Sequence, residues 1–398
     1  MVPDLREEYN HQFTDEKYAA FLEGLKANYN HLPPFRIAES PIFIPDLLKN
    51  RLEEACNEII ETICQDNFKE LTKDAIKHPD LQVPGEDYHT RFLQMDFGIC
   101  HDENGDYIPQ LIELQGFPSL YFFQDLLAQT YRKYFNIPEN LVSHSSGMSS
   151  AEYIELLRNI IVGEQDPKEV ILLEVEPEKQ NTYIDFLGAE AHLGIKVLCI
   201  SKLKKRGKEL YYLDGEGHEV RVRKIYNRVI FDELKQRDDI QREFHFQDEV
   251  DVEWVGHPNW FFRISKYTLP LLKSKYVPES LYLNELERYP EDLHNYVFKP
   301  LYSFSGAGIN LNISAEELDV IEDRENYILQ KKVKYQPVIR GIGEPAKCEI
   351  RMLMVWEHGE NSARIINNLV RLTKGEMVGV KYNKDKDWVG ASVGFFNA

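Results

Sequence analysis

YVFKPLYSFSGAGINL, residues 296–311, carries the reading of the fold. An apolar run bearing Lys299 and ending at Pro300 predicts a strand; the small and hydroxylic residues Ser303, Ser305, Gly306, Ala307 and Gly308 predict a pliant turn; a second strand follows. A strand, a Gly/Ser turn and a strand leave backbone N–H groups free to hold phosphate oxygens, with a cation one strand away. The spacing fits neither the Walker A pattern nor GxGxxG, so those two modes of phosphate binding are not supported. On spacing alone an ordinary hairpin turn competes with the phosphate reading.

Far upstream, FLQMDFGIC, HDENGDY and IPQLIELQG (residues 92–116) predict strand, turn and strand, with Asn104-Gly105 as the turn signal. Asp96 lies on the first strand, and Glu113 and Gln115 share one face of the second. Glu113 and Gln115 stand in an apolar run, where an unpaired carboxylate is costly. Two carboxylates and an amide carbonyl suit a hard divalent cation completed by phosphate and water. The competing reading is a solvated acidic edge.

Around these two hairpins the pattern is mixed. Residues 46–77 repeat apolar positions near period 3.6 and predict one or two amphipathic helices; SLYFFQDLLAQTYRKYF, from residue 119, predicts another. Residues 150–200 read as helix, apolar strand, helix and apolar strand, the βαβ sign of a mainly parallel sheet. ELYYLDGEGHEVRVRKIYNR predicts a hairpin feeding a strand, and the acidic run 231–250 predicts an exposed helix. RISKYTLPLLKSK predicts a helix carrying Lys266. KCEIRMLMVWE and SARIINNLVRLT predict late strands. The expected class is mixed α+β and α/β, in three interleaved parts: 1–149, 150–255 and 256–398.

The 398 residues are 43% hydrophobic and 28% charged, a globular composition. Lys plus Arg is 47 and Asp plus Glu is 66, so the net charge is 47 − 66 = −19, which disfavours nucleic acid and membrane surfaces as partners. A small anion remains admissible where local cations gather. No run approaches a membrane span, the first residues lack the features of a signal peptide, and the five scattered cysteines read as reduced core thiols, so the expected address is cytoplasmic.

The motifs together carry a resemblance. YVFKPLYSFSGAGI resembles the lysine strand and glycine-rich flap of ATP-grasp enzymes, and YILQKKV (residues 327–333) their hinge strand. In the ordinary ATP-grasp order the metal ligands follow that lysine; here INNLVR offers no carboxylate two positions before Asn367 or Asn368. The upstream hairpin is instead similar to the metal motif of the circularly permuted ATP-grasp families, which include glutathionylspermidine synthetase. IELQGFPSLY, KIYNRVIFDEL, HPNWFFRISKYTLPLL, EIRMLMVW, NNLVRLTKG and KDKDWV continue the resemblance in order from residue 90 to near the C-terminus. Gln115 stands where the family usually has Asn.

The resemblance implies a permuted ATP-grasp core with a βαβ substrate part, and ATP and Mg²⁺ as cofactors. It places Lys266, Lys299, Ser305, Gly306 and Gly308 on the ATP phosphates and Gln330 and Lys332 at the adenine. Mg²⁺ falls to Asp96, Glu113 and Gln115. Arg351 and Arg371 become catalytic contacts to phosphate or acyl-phosphate, against which a surface ion pair is the plainer reading. Ser119 could hold substrate or cap the following helix. The implied reaction is ligation of a small carboxylate to an amine through an acyl-phosphate; phosphotransfer alone, or nucleotide binding without catalysis, are the alternatives.

Overall fold

In the computed structural model, which describes residues 1–303, 306–375, 383 and 385–398, the helical patterns form α1 (Pro3–Gln12), α2 (Asp15–Ala27), α3 (Asp46–Ile63), α4 (Tyr121–Tyr134), α5 (Ser150–Ile161) and α6 (Tyr183–Leu193). Helix α3 follows Pro45 in an extended conformation and turns Leu48, Leu52, Ala55, Ile59 and Ile63 to one buried stripe. Helix α5 begins at a capping box in which Ser149 and Glu152 bond each other's backbone N–H.

The strands that build the site are β1 (Phe92–His101), β2 (Tyr107–Gln115), β3 (Val170–Glu174), β4 (Lys196–Cys199), β5 (Lys224–Asn227), β6 (Glu253–Val255), β7 (Ser280–Tyr282), β8 (Tyr296–Pro300), β9 (Tyr327–Lys331), β10 (Lys347–Val355), β11 (Arg364–Thr373) and β12 (Gly390–Ser392). Among the described residues they form a five-stranded sheet in the order β12-β11-β10-β1-β2, a parallel sheet β6-β5-β3-β4 and a three-stranded sheet β7-β9-β8. The pairing of β1 with β10 joins residues 92–98 to 349–355, antiparallel. One sheet is thus built from both ends of the sequence.

Its two faces differ in chemistry because side chains alternate along each strand. Leu93, Met95, Phe97, Ile350, Met352, Val370 and Leu372 pack in one apolar cluster with Leu48, Leu52 and Ile59 of α3. The opposite face carries Gln94, Asp96, Glu113, Gln115, Glu349, Arg351 and Arg371, matched across the strands as Gln94 with Gln115, Asp96 with Glu113 and with Arg351, and Glu349 with Arg371. Gly98 lies in this polar row, where an added Cβ would meet the Tyr335 ring at 2.9 Å. A bulge sits where Asp96 faces Glu113 and Phe97 faces Leu111, leaving Ile112 outside the pairing. It lets Leu111 and Leu114 both reach the core while Glu113 keeps the polar face.

Four local expectations change. The acidic run forms only the short helix Phe231–Lys235; Phe244 and Phe246 beyond it are buried and pack against Trp254, which pulls the segment inward. Lys266 opens a 3₁₀ helix, Lys266–Leu271, with Pro270 inside it, in place of an α-helix. After the glycine-rich turn the chain makes a single bridge, Asn310 to Phe298, where a strand is expected. Ser119 caps nothing: the N–H groups at the start of α4 are bonded by Asp185 of α6. All five cysteines are free, and burial pushes the Cys348 thiol up and out of nucleophilic use. No helix among the described residues is long and apolar enough to cross a membrane.

Candidate anion-binding site

The polar face of the five-stranded sheet is covered by two segments. Along the outer edge of β2 the Leu111 N–H bonds the Tyr276 carbonyl and the Gly116 N–H bonds the Ile264 carbonyl, both at 2.8 Å. This edge pairing sets Lys266 beside Glu113, with Nζ 3.3 Å from Oε2. It needs a glycine, because a Cβ at residue 116 would lie 2.7 Å from the Trp260 carbonyl oxygen and 2.9 Å from Ile264. Gly116→Ala is therefore expected to cost about 1–3 kcal/mol of stability, the usual range for forced overpacking, and to weaken anion binding by shifting Lys266. Urea unfolding and a binding titration check the two effects; an unchanged midpoint would contradict the close approach.

The second covering segment is the three-stranded sheet. Lys299 of β8 donates to the Ile112 carbonyl at 3.0 Å and to Gln330 Oε1 of β9 at 2.5 Å, and Gln330 Nε2 donates to the Leu111 carbonyl at 3.3 Å. The bulge therefore frees a carbonyl that holds the lysine of a strand 187 positions away. Lys266 Nζ donates to the Ser303 carbonyl at 2.8 Å.

Between these segments lies a charge lattice. Arg351 Nε and Nη2 donate to Asp96 Oδ1 and Oδ2 at 2.5 and 2.7 Å, and its Nη1 to Gln94 Oε1 at 3.0 Å. Arg371 Nη2 bonds both Asp96 and Glu349. Tyr335 Oη, lying over Gly98, donates to Glu349 Oε2 at 2.8 Å. Gln115 Nε2 donates to Glu113 Oε1 at 3.1 Å. Arg351 is 7% exposed, so this is no surface ion pair. Lys266, Lys299, Arg351 and Arg371 face Asp96, Glu113 and Glu349, an excess of one positive charge inside a chain of net charge −19.

The titrations follow this arrangement. Burial alone would raise the Glu113 carboxyl, but Lys266, Arg351, Arg371 and Lys299 outweigh it and hold it below the usual carboxylate range. Burial raises the Glu349 carboxyl, with Arg371 opposing and Asp96 adding. Burial lowers the Lys299 ammonium from 10.5 to about 8, with Glu113 opposing and Lys266 reinforcing. Between those two values the unfolded chain keeps a proton that the folded chain has lost, so this group's contribution to stability improves as pH rises through the window. Anion affinity runs the other way: it is expected to fall as pH rises through about 8. Calorimetric titration of a phosphate ligand at neutral and alkaline pH checks this; affinity rising with pH would contradict it.

Among the described residues, two donors in the lattice are buried without a partner, Ser303 Oγ and Arg371 Nε. Both can meet an anion's lone pairs. The donor set does not suit a protein-held magnesium ion. Both oxygens of Asp96 already accept from guanidinium groups, and a divalent cation on the same oxygens would face each of them at about 4 Å, a repulsion of about 8 kcal/mol apiece at an effective dielectric near 20. Among the described residues no three His, Cys, Asp or Glu side chains are grouped to hold a metal. Asp96 is held by Arg351 and Arg371, while Glu113 accepts from Gln115 and pairs with Lys266.

Of the remaining expected residues, Gln330 belongs to the cluster through Lys299. Lys332 does not: its N–H bonds the Asn295 carbonyl and its Nζ the His294 carbonyl, on the outer side of the hinge. Gly306 and Gly308 adopt the left-handed conformation, and Gly308 folds back against Pro300. Ser305 lies outside the described residues. Gln94, Gly116, Tyr335 and Glu349 join the cluster without having been marked by the sequence, whereas Ser303 belongs to the small and hydroxylic run read there as a turn. Glu349 was findable there, since it alternates with Arg351 in an apolar strand just as Glu113 does in its own. A cavity of about 20 Å³ lies between Glu113, Gln115, Ser265, Lys266 and Ser303, room for a water molecule.

No protein-family model matches the chain, and no curated protein does. Among solved structures, a glutathione synthetase-like effector (GSS30) from Globodera pallida, in its apo form, matches with a TM-score of 0.61 at 13% identity, over 100% of this chain and 99% of that one. The chain has a glutathione synthetase-like fold, mixed α/β with several sheets.

Proposed function

On that fold, we propose that the chain is an ATP-dependent ligase of circularly permuted ATP-grasp type, akin to glutathionylspermidine synthetase, joining a small carboxylate to an amine. The observation that carries this reading is the convergence of Lys266, Lys299, Arg351 and Arg371 on one sheet face, with the Ser303 carbonyl bonded to Lys266. The glutathione synthetase-like fold supports it.

The residues divide the work as follows. Lys266 and Lys299 neutralise the phosphates of the nucleotide, and Arg351 and Arg371 face the oxygens that gain charge as the γ-phosphoryl group passes to the substrate carboxylate. The bond from the γ-phosphorus to its bridging oxygen breaks, ADP leaves, the amine attacks the acyl carbon and phosphate departs. Ser303 and the glycine-rich turn exclude water that would hydrolyse the activated acid. In this reading a phosphate oxygen takes the place of the Ser303 carbonyl on Lys266 when the nucleotide binds.

Incubation with ATP and mixed pools of amino acids, peptides and polyamines tests the reading. ADP release that needs both a carboxylate and an amine is the expected result. Release with a carboxylate alone and no ligated product would indicate phosphotransfer, and nucleotide binding without any release would indicate a non-catalytic protein. The engagement of both Asp96 oxygens is the observation that favours this last alternative.

A further inference from the structure

The mismatch between Asp96 and a metal has a positive counterpart. Asp96 and Glu349 hold the two guanidinium groups in fixed orientations: Arg351 is bound through both Asp96 oxygens and Gln94, and Arg371 is bridged between Asp96 and Glu349, whose other oxygen is fixed by Tyr335. The Nε–Nη2 edge of Arg351 is spent on Asp96, so a phosphate meets the remaining N–H groups of the two guanidiniums, which are already oriented when the anion arrives. Arg371 Nε and Ser303 Oγ keep donors unspent. Lys266 and Lys299 complete a cationic wall.

We propose that this cleft binds a phosphate-bearing anion through a clamp of Arg351 and Arg371 in place of a protein-held divalent metal, with Asp96 acting as the positioning residue of both arginines. The inference rests on the anion-binding half of the proposed function and not on ligation. Glu113 and Gln115 remain oriented by Lys266 and by each other. A divalent cation enters only as the nucleotide's own counterion.

Three titrations of the full chain test this. ATP and inorganic tripolyphosphate are titrated calorimetrically in EDTA and in excess Mg²⁺, and Mn²⁺ alone is followed by electron paramagnetic resonance. Tripolyphosphate affinity in EDTA within about threefold of that in Mg²⁺, together with no Mn²⁺ retained below about 1 mM, is the expected result. Loss of more than about tenfold in affinity on chelation, stoichiometric Mn²⁺ binding, or no anion binding in EDTA would each overturn the proposal. Asp96→Asn is expected to weaken anion binding in EDTA and in Mg²⁺ alike, because both arginines lose their anchor; weakening confined to the Mg²⁺ arm would make Asp96 a metal ligand after all. The Mn²⁺ measurement on the unaltered chain stands even if that variant fails to fold. Anion binding in EDTA without ADP release would leave the clamp in place and remove the ligase reading.

Discussion

Lys299→Met is expected to lower the proposed nucleotide-dependent turnover by about 10²–10³-fold, the usual loss when one preorganised electrostatic contact is removed from a developing charge. The substitution keeps most of the side-chain volume in a position only 5% exposed. It removes a charge that the native state holds at some cost, since burial draws the ammonium from 10.5 to about 8, equivalent to about 3 kcal/mol at neutral pH. Against that relief stands the loss of the hydrogen bonds to Ile112 and Gln330, about 1–3 kcal/mol for each partner left unsatisfied. These terms oppose each other, leaving a net change between about 1 kcal/mol gained and about 3 kcal/mol lost, while phosphate binding loses its central cation. Kinetic assay paired with thermal unfolding separates the two readouts. Full turnover with a normal melting curve would remove Lys299 from the site, and collapse of the fold would make its role structural. The alkaline decline of anion affinity should vanish in the same variant.

Asp185→Ala is the largest expected loss of stability. The carboxylate is 1% exposed and accepts the N–H groups of Leu120, Phe122 and Phe123 at 3.1, 2.8 and 3.0 Å, fastening the start of α4 to α6. Its Oδ2 also accepts from Arg228 Nη1 at 2.9 Å. Arg228 is itself 3% exposed and sits over the rings of Phe117 and Phe186. Removal leaves a buried cation without its counter-charge and a helix start without its cap, so about 3–5 kcal/mol should be lost. Denaturant unfolding measures this, and a change below about 1 kcal/mol would contradict the buried-pair account. The effect also reaches the anion site. Gln94 Nε2 donates to the Ser119 carbonyl, next to the Leu120 N–H that Asp185 anchors, and Gln94 Oε1 steadies Arg351.

The early hairpin and the late lysine strand were legible in the sequence because each is specified locally. Asn104-Gly105 sets the first turn, and apolar alternation marks the strands bearing Asp96, Glu113 and Lys299. What Asp96 does was not legible. Its partners Arg351 and Arg371 lie 255 and 275 positions away, and only the sheet register brings a guanidinium opposite the carboxylate. The same residue types that suggest a metal set in isolation are bonded to two arginines once that register is known. The Ile112 bulge was equally hidden, since one unpaired residue leaves no mark on the pattern of IPQLIELQG. The acidic run 231–250 misleads because its charges outnumber its three phenylalanines, Phe231, Phe244 and Phe246, all of which are buried. Gly98 did carry a readable signal: a lone glycine inside a strand marks a close approach, here by Tyr335.

The central claim is that the early hairpin and the late lysine strand enclose one anion-binding cleft. A crystal structure with a non-hydrolysable ATP analogue tests it most directly. The account predicts phosphate oxygens within hydrogen-bonding distance of Lys266 and Lys299, facing the Arg351 and Arg371 guanidinium groups, with Ser303 released from Lys266. A nucleotide bound elsewhere, or a saturated crystal whose Lys266–Ser303 contact stays closed over an unaltered lattice, would contradict it.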